Sequence, residues 1–522
     1  MKTLKKIALT IGILVLTWAC TDNFEETNTD PNRTNVGDIQ ASGMFEPLLY
    51  NGANAWQNYT WFWNNELIQF TAFTGGTTRQ EHRYFISDAN WQSVWNFYAR
   101  YANNALHMHD LSIEQEDPSL EAISITLKVM YLSNLTDIFG DIPYSEAFLV
   151  LSDEGVIKPK FDSQEEVYNQ MFAELEEAND IYATNPTFIK PALDGMYGGS
   201  MNQWRKFNNS LYLRLLSRVS GRSSMNSGSK MTEILNNPSK YPVFTSNDDN
   251  ATVVFSGNDP YRSEFNNTNE GSFTSSGRKL TEQLIKMTVL TNESDEQIYE
   301  DPRLAIYGKK NPNTDPNLPF VWKGTVAGCT ESEQSNVDRG TSWLNAAVFC
   351  RADAPGFFMD YAEVQFIFAE AALKGLIPGG ESAARQYYET AVAASIEKWE
   401  PLGQYSETPV TISSEDITAF LASDLASWDS WSNKEELIAN QKFLALFWVG
   451  MEAYHEYRRT GYPELTIGDG AIYNDFILPT RFAYPNTTMA TNGENAQEAL
   501  NRMGGENNMK TPVWWSKEAI EQ

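Results

Sequence analysis

Four glutamates could supply the paired carboxylates that sugar hydrolysis needs. Glu363 and Glu370 stand on one apolar helical segment, and Glu452 and Glu456 lie four residues apart beside Arg458 and Arg459. That spacing puts two carboxylates on one helical face, and next to arginines it builds structural ion pairs far more often than an acid/base couple. The histidines are His82, His107, His109 and His455; the middle two are two residues apart, so on a helix they point in different directions. The chain carries no HExxH, no phosphate-binding glycine loop and no GxSxG elbow. The run Asn247-Asp248-Asp249-Asn250 offers oxygen ligands for calcium but lacks the glycine and terminal glutamate of a helix-loop-helix calcium loop, so no cofactor is expected. Nor does any CxxC or Cys/His spacing suggest zinc.

Binding has better candidates than catalysis. The chain holds 15 Trp, 24 Tyr and 28 Phe, and most fall at helical spacing, where they read as core. Trp56, Tyr59, Trp61, Phe62, Trp63, Phe70 and Phe73 form such a stretch within 43–73, read as a helical core segment. Two stretches escape this reading. One is the polar loop 74–90, opened by Gly75-Gly76; the other is a lobe at roughly 240–353, dominated by Asn, Gly, Ser, Thr and Pro, with Tyr261, Phe265, Trp322 and Trp343 inside it. Irregular chain of this length is usually functional. With 39 basic against 68 acidic residues, the formal net charge of −29 gives no field to attract phosphates, which excludes nucleic acid as a partner.

Helical elements must hold these stretches in place. A helix with Leu120, Ile123, Leu127, Met130, Tyr131, Leu135 and Ile138 on its buried face stops at TDIFGDIPYSEA (136–147), where Gly140 ends it and Pro143 forbids continuation. Ser163 and Glu166 form a capping box for the next helix. A helix carrying Arg205, Arg214 and Arg218 follows, with Asp137, Asp141 and Glu146 as candidate partners for the arginines. Within the lobe the pattern predicts a short strand at 251–255 and a helix near 278–290. Helices resume at 357–375 and 382–398, resembling a tetratricopeptide-type hairpin, and 437–457 reads as one central helix stopped by Gly461 and Pro463. NTDPN occurs at Asn28 and at Asn313 and is a turn signal, not a repeat.

At the N-terminus, Lys5 and Lys6 precede an apolar run, Ile7 to Leu16, too short to span a bilayer and followed by Ala19-Cys20. This looks like a bacterial lipoprotein signal, with residues 1–19 removed and Cys20 lipidated; ordinary secretion is the alternative. Acidic TDNFEE follows and resembles the surface-export signal of Bacteroidetes lipoproteins. Residues 20–42 read as a polar tether. In an oxidising compartment Cys329 and Cys350 are a candidate disulfide.

Several stretches together resemble the SusD/RagB-like outer-membrane lipoproteins, in the SusD-like branch. They are TDIFGDIPYSEA at 136–147, WRKFNNSLYLRLLSR at 204–218, DYAEVQFIFAEAALKG at 360–375, NQKFLALFWVGMEAYHEYRRTGYPEL at 440–465, and the closing PTRFAYP and PVWW. The resemblance covers the mature chain in order. It implies a mainly α fold, a single domain over 43–522, in which tetratricopeptide-like helical pairs scaffold the irregular lobe with a few short strands. It implies no catalysis, an outer-membrane location facing outward, a SusC-like TonB-dependent transporter as partner, and an oligo- or polysaccharide ligand. On this resemblance the loop 74–90 and the lobe 257–345 are the two parts of a glycan surface, and Arg79, His82, Tyr84, Tyr261, Trp322 and Trp343 are its candidate residues. The alternatives are a secreted glycan-degrading enzyme and a peptide-binding member of the same family.

Overall fold

Local signals start and stop the scaffold helices. The computed structural model describes residues 39–76, 80–151, 155–188, 190–275, 278–311, 319–337 and 340–521. The leader, Cys20, both NTDPN turns and Arg79 lie outside them. The long helices are α1 (Ala41–Tyr59), α2 (Asp88–Glu114), α3 (Pro118–Phe139), α4 (Gln164–Ala183), α5 (Met201–Arg218), α6 (Tyr361–Leu373), α7 (Gly380–Gly403), α8 (Lys434–Ala445) and α9 (Glu452–Thr460). Asp117 accepts from the Ser119 and Leu120 amides at 3.1 Å and Pro118 occupies the first turn, so α3 begins there. It ends at Gly140, whose φ of 89° no residue with a Cβ adopts readily. Ser163 and Glu166 form the expected capping box on α4.

Neighbouring helices pack in sequence: α2 on α3, α3 on α4, α4 on α5, and the hairpin α6–α7 on α8. This is the mainly α, tetratricopeptide-like scaffold of helical pairs expected from the sequence. Helix α3 is buried almost all round, so its polar residues bond internally; Thr126 Oγ1 donates to Asn208 Oδ1 of α5 at 2.9 Å.

The strands are short: β1 (Thr71–Phe73), β2 (Ala251–Val253), β3 (Arg278–Leu280), β4 (Val289–Thr291), β5 (Gln297–Glu300), β6 (Gly308–Lys309), β7 (Trp343–Leu344) and β8 (Gly356–Met359). One sheet runs in the order β1-β3-β7-β6, all antiparallel, while β2 pairs with β8 and β4 with β5.

Three local expectations change. The helix expected near 278–290 is confined to Glu282–Thr288, because its flanks are drawn into β3 and β4. Residues 357–359 form β8 against β2 and do not start α6. The single helix expected over 437–457 is two, α8 and α9. Between them Trp448 and Gly450 take positive φ (68° and 55°), and a Cβ on Gly450 would meet the Trp56 indole nitrogen at 2.0 Å. The break lets Trp56 of α1 pack directly against backbone.

Candidate functional site

The four glutamates are consumed by structure. Arg214 forks onto Glu363, with Nε to Oε1 at 2.7 Å and Nη2 to Oε2 at 2.5 Å, and its Nη1 lies 3.4 Å from Glu452 Oε1. Arg218 donates to Asp137 Oδ2 at 2.9 Å and to Glu452 Oε2 at 2.5 Å. A second network joins Glu370 to Arg459 and Lys374 at 2.7 and 2.8 Å, and Glu456 to Lys442 at 2.9 Å. Burial alone would raise the Glu370 and Glu456 carboxyls. Arg459 with Lys374 outweighs it for Glu370, and Arg459 with Lys442 for Glu456, which is held at about 2. A general acid needs the opposite shift. Of the arginine partners named from sequence, Asp137 does meet Arg218, while Asp141 pairs with Arg502 at 2.9 Å and Arg214 turns to the glutamates.

The sheet β1-β3-β7-β6 brings the two aperiodic stretches together. Loop 74–90 leaves β1, and the lobe supplies the other three strands. A five-residue π turn, Thr60–Asn64, rotates the aromatic run of α1, so that Trp61 and Phe62 face Arg278 of β3 while Trp63 stays in the core. The Arg278 guanidinium sits 3.8 Å from the Trp61 ring centroid and 3.1 Å from Glu66 Oε1. Glu66 also accepts from Thr71 Oγ1 and the Phe73 amide, each at 2.7 Å, so one buried pair pins β1 to β3. Sequence periodicity offered no sign of Arg278, which stands in a polar lobe with no charged neighbour at helical spacing except Glu282.

A second set of bonds staples the loop to the lobe. The Gly328 amide donates to His82 Nδ1 at 3.0 Å, Arg83 Nε donates to the Cys329 carbonyl at 2.6 Å, and Gln334 reaches the Thr74 carbonyl. The Gly470 amide donates to the Gly328 carbonyl at 2.7 Å, and a Cβ on Gly468 would lie 2.4 Å from that oxygen, so position 468 can approach this closely only as glycine.

The candidate residues therefore divide. His82 and Tyr84 are buried beneath the loop; His82 is held neutral, down to about 3, by burial and by Arg83 and Arg278, and Tyr84 receives a long bond from Gln69 at 3.4 Å. Trp322 is 4% exposed, with its backbone clasped by Gln297 at 2.6 and 3.0 Å. These three side chains lie within the packing and offer a ligand no free face in this arrangement. Tyr261 is half-buried against α1, its hydroxyl donating to Glu46 Oε1 at 2.5 Å and its ring 4.4 Å from that of Tyr50. Trp343 is half-buried in β7, opposite Lys279 of β3 and Lys309 of β6, whose Nζ lies 5.3 Å from the indole centroid. Arg79 lies outside the described residues. Sequence reasoning missed five exposed rings among the described residues: Phe85, Phe320, Tyr405, Tyr473 and Phe476, of which Tyr405 is 38% exposed.

The candidate disulfide is corrected. Cys329 and Cys350 are not bridged: Cys329 is buried beside Arg83, and Cys350 ends the short helix Ala346–Phe349, with burial and the nearby Glu270 pushing its thiol up to about 12. Among the described residues no His, Cys, Asp and Glu cluster is arranged for a metal, and no helix is long and apolar enough to cross a membrane.

Fold and surface define a class: a helical-pair scaffold that carries an irregular, strand-laced lobe. Residues 31–485 match the SusD-like family model described as starch-binding associating with outer membrane, and the chain belongs to that family. Among solved structures it is similar to a chitin-binding protein at 26% identity (TM-score 0.74), over 91% of this chain and 100% of that one. A SusD homologue from Bacteroides fragilis matches at 24% identity (TM-score 0.73; 91% and 99% of the two chains). A chitin-binding SusD homologue from Flavobacterium johnsoniae matches at 22% (TM-score 0.71; 91% and 98%), a likeness of fold. No curated protein matches the chain.

Proposed function

We propose that the protein is a surface lipoprotein, anchored through Cys20, that captures oligosaccharides and passes them to a SusC-like TonB-dependent transporter without cleaving them. The observation that carries this reading is the junction of loop 74–90 and lobe in one sheet, with Trp343 on it between Lys279 and Lys309. A half-buried indole on a pinned strand is a stacking platform for the C–H face of a sugar ring, and the Lys309 ammonium beside it can bond its hydroxyls. Arg79, outside the described residues, and Tyr261, on the α1 side of the lobe, remain candidate polar contacts for the glycan. The family description and the chitin-binding relatives make a neutral glycan, and chitooligosaccharides first, the ligand to try.

Against the enzyme reading stands the pairing of Glu363, Glu370, Glu452 and Glu456, the four glutamates the sequence offered for an acid/base couple, with arginine or lysine, which supports capture. Calorimetric titration with chitooligosaccharides, run beside a reducing-end assay, separates the two. Binding heat without new reducing ends supports capture. New reducing ends that vanish in Glu370→Gln or Glu452→Gln would replace it with a glycosidase.

A further inference from the structure

We propose that the glycan surface continues from Trp343 onto a second ring, Tyr405, so that the site takes a chain of neutral sugars and not a single terminal unit; this rests on the capture reading above. Tyr405 lies in the turn that ends α7, closed by a bond from the Val410 amide to the Gly403 carbonyl at 3.0 Å. The Arg351 guanidinium lies 3.1 Å from its ring centroid and covers one face, yet the residue stays 38% exposed. Arg351 is itself held by Asp353 at 2.7 Å, and that carboxylate is about half exposed. The ring is thus braced from behind and open in front, as a stacking platform must be.

Two contacts tie this platform to the first. Asn345 Nδ2 donates to Ser406 Oγ at 2.9 Å, in a buried clamp. Asn345 is two residues beyond Trp343, about 7 Å of extended chain, and Ser406 adjoins Tyr405. Lys309 Nζ bonds Glu407 Oε1 at 2.8 Å while lying over the Trp343 ring, so Trp343, Lys309, Glu407 and Tyr405 form one continuous run. The charges along it are already paired, Lys309 with Glu270 and Glu407 and Arg351 with Asp353, which leaves no surplus of positive charge to select an anionic sugar. Paired ions still present donors and acceptors to hydroxyls, the chemistry of an uncharged oligosaccharide.

Calorimetry on the mature chain with chitooligosaccharides, from the disaccharide to the hexasaccharide, and a parallel maltooligosaccharide series tests this. The wild type should gain affinity with length. Tyr405→Ala should bind the shortest ligand that the wild type binds equally well but lose about three- to tenfold on the longest; Tyr405→Phe, which keeps the ring, should retain the gain. Equal affinity of Tyr405→Ala and wild type at every length, or a wild type that binds without any gain in length, overturns the second platform and leaves capture standing. A wild type that binds neither series at any length overturns both.

Discussion

Arg218 of α5 and Asp137 of α3 meet at 2.9 Å with side chains 3% and 2% exposed, and the Trp515 indole and the Tyr168 hydroxyl donate to the other Asp137 oxygen at 2.7 and 2.5 Å. Through Glu452 the same arginine ties α9 to this pair. Four elements far apart in the chain, including its C-terminal segment, converge on one carboxylate. Arg218→Met leaves Asp137 buried without its cation and Glu452 with only the longer contact to Arg214, and should cost about 3–5 kcal/mol of stability, read from the urea midpoint. Glycan affinity should not move. A loss below about 1 kcal/mol, the worth of an exposed pair, would mean that the pair is not enclosed in solution.

The turn TDIFGDIPYSEA was legible as a helix stop because Gly and Pro act locally, and Ser163 with Glu166 announced α4 for the same reason. The α6–α7 hairpin was legible from small and bulky residues at helical spacing. What stayed hidden depends on distant partners. The break between α8 and α9 is set by Trp56, nearly four hundred residues earlier, and β8 forms because β2 lies beside it. For the candidate site, sequence singled out two segments, which the structure joins in one sheet, but could not tell which rings face out: His82, Tyr84 and Trp322 turn inward, where Gly328 and Gln69 bond the first two side chains and Gln297 the backbone of the third. Tyr405 stood alone in a polar turn and gave no periodic signal.

Acid should weaken the fold in two stages. His82 is held neutral down to about 3, first by burial and then by Arg83 and Arg278, and burial holds His455 well below its ordinary value, with Arg218, Arg458 and Arg214 adding to it. The unfolded chain takes up these protons first, near 6.5, so stability is complete above that pH and falls as pH drops toward the folded values. Each histidine contributes a slope of about 1.4 kcal/mol per pH unit once well below 6.5. The paired Glu370 and Glu456 act later: their stabilisation is present above 4.5 and is lost as pH falls toward about 2 for Glu456. His82→Gln should roughly halve the slope of the upper stage in a series of denaturant melts, His455 carrying the rest, and leave the lower one. An unchanged upper slope would show that His82 is reached by water.

The unbridged pair Cys329 and Cys350 predicts a redox-insensitive body. Melting of the domain with and without dithiothreitol should give the same midpoint, since no bridge closes the loop between Cys329 and Cys350. Native Cys350, with its thiol pushed up to about 12, should alkylate slowly at neutral pH, and both cysteines should label once the chain is denatured. A peptide map showing the two joined would contradict the arrangement described.

Arg278→Met tests the junction of loop and lobe. It removes the cation from between Trp61 and Glu66 and leaves the Glu66 carboxylate buried, so β1 should loosen from β3. The expected outcome is faster amide exchange over 71–84 and 278–281, with a global loss of about 3 kcal/mol or more. Exchange that stays slow in both segments would show that the sheet does not depend on this pair.

Calorimetric titration of Trp343→Ala beside the wild type tests the proposed sugar-stacking face of Trp343. With chitooligosaccharides as probe, the wild type should bind and the variant should lose about 1–2 kcal/mol of affinity, with its circular dichroism unchanged. Equal affinity in the two proteins, with the fold intact, would contradict the account.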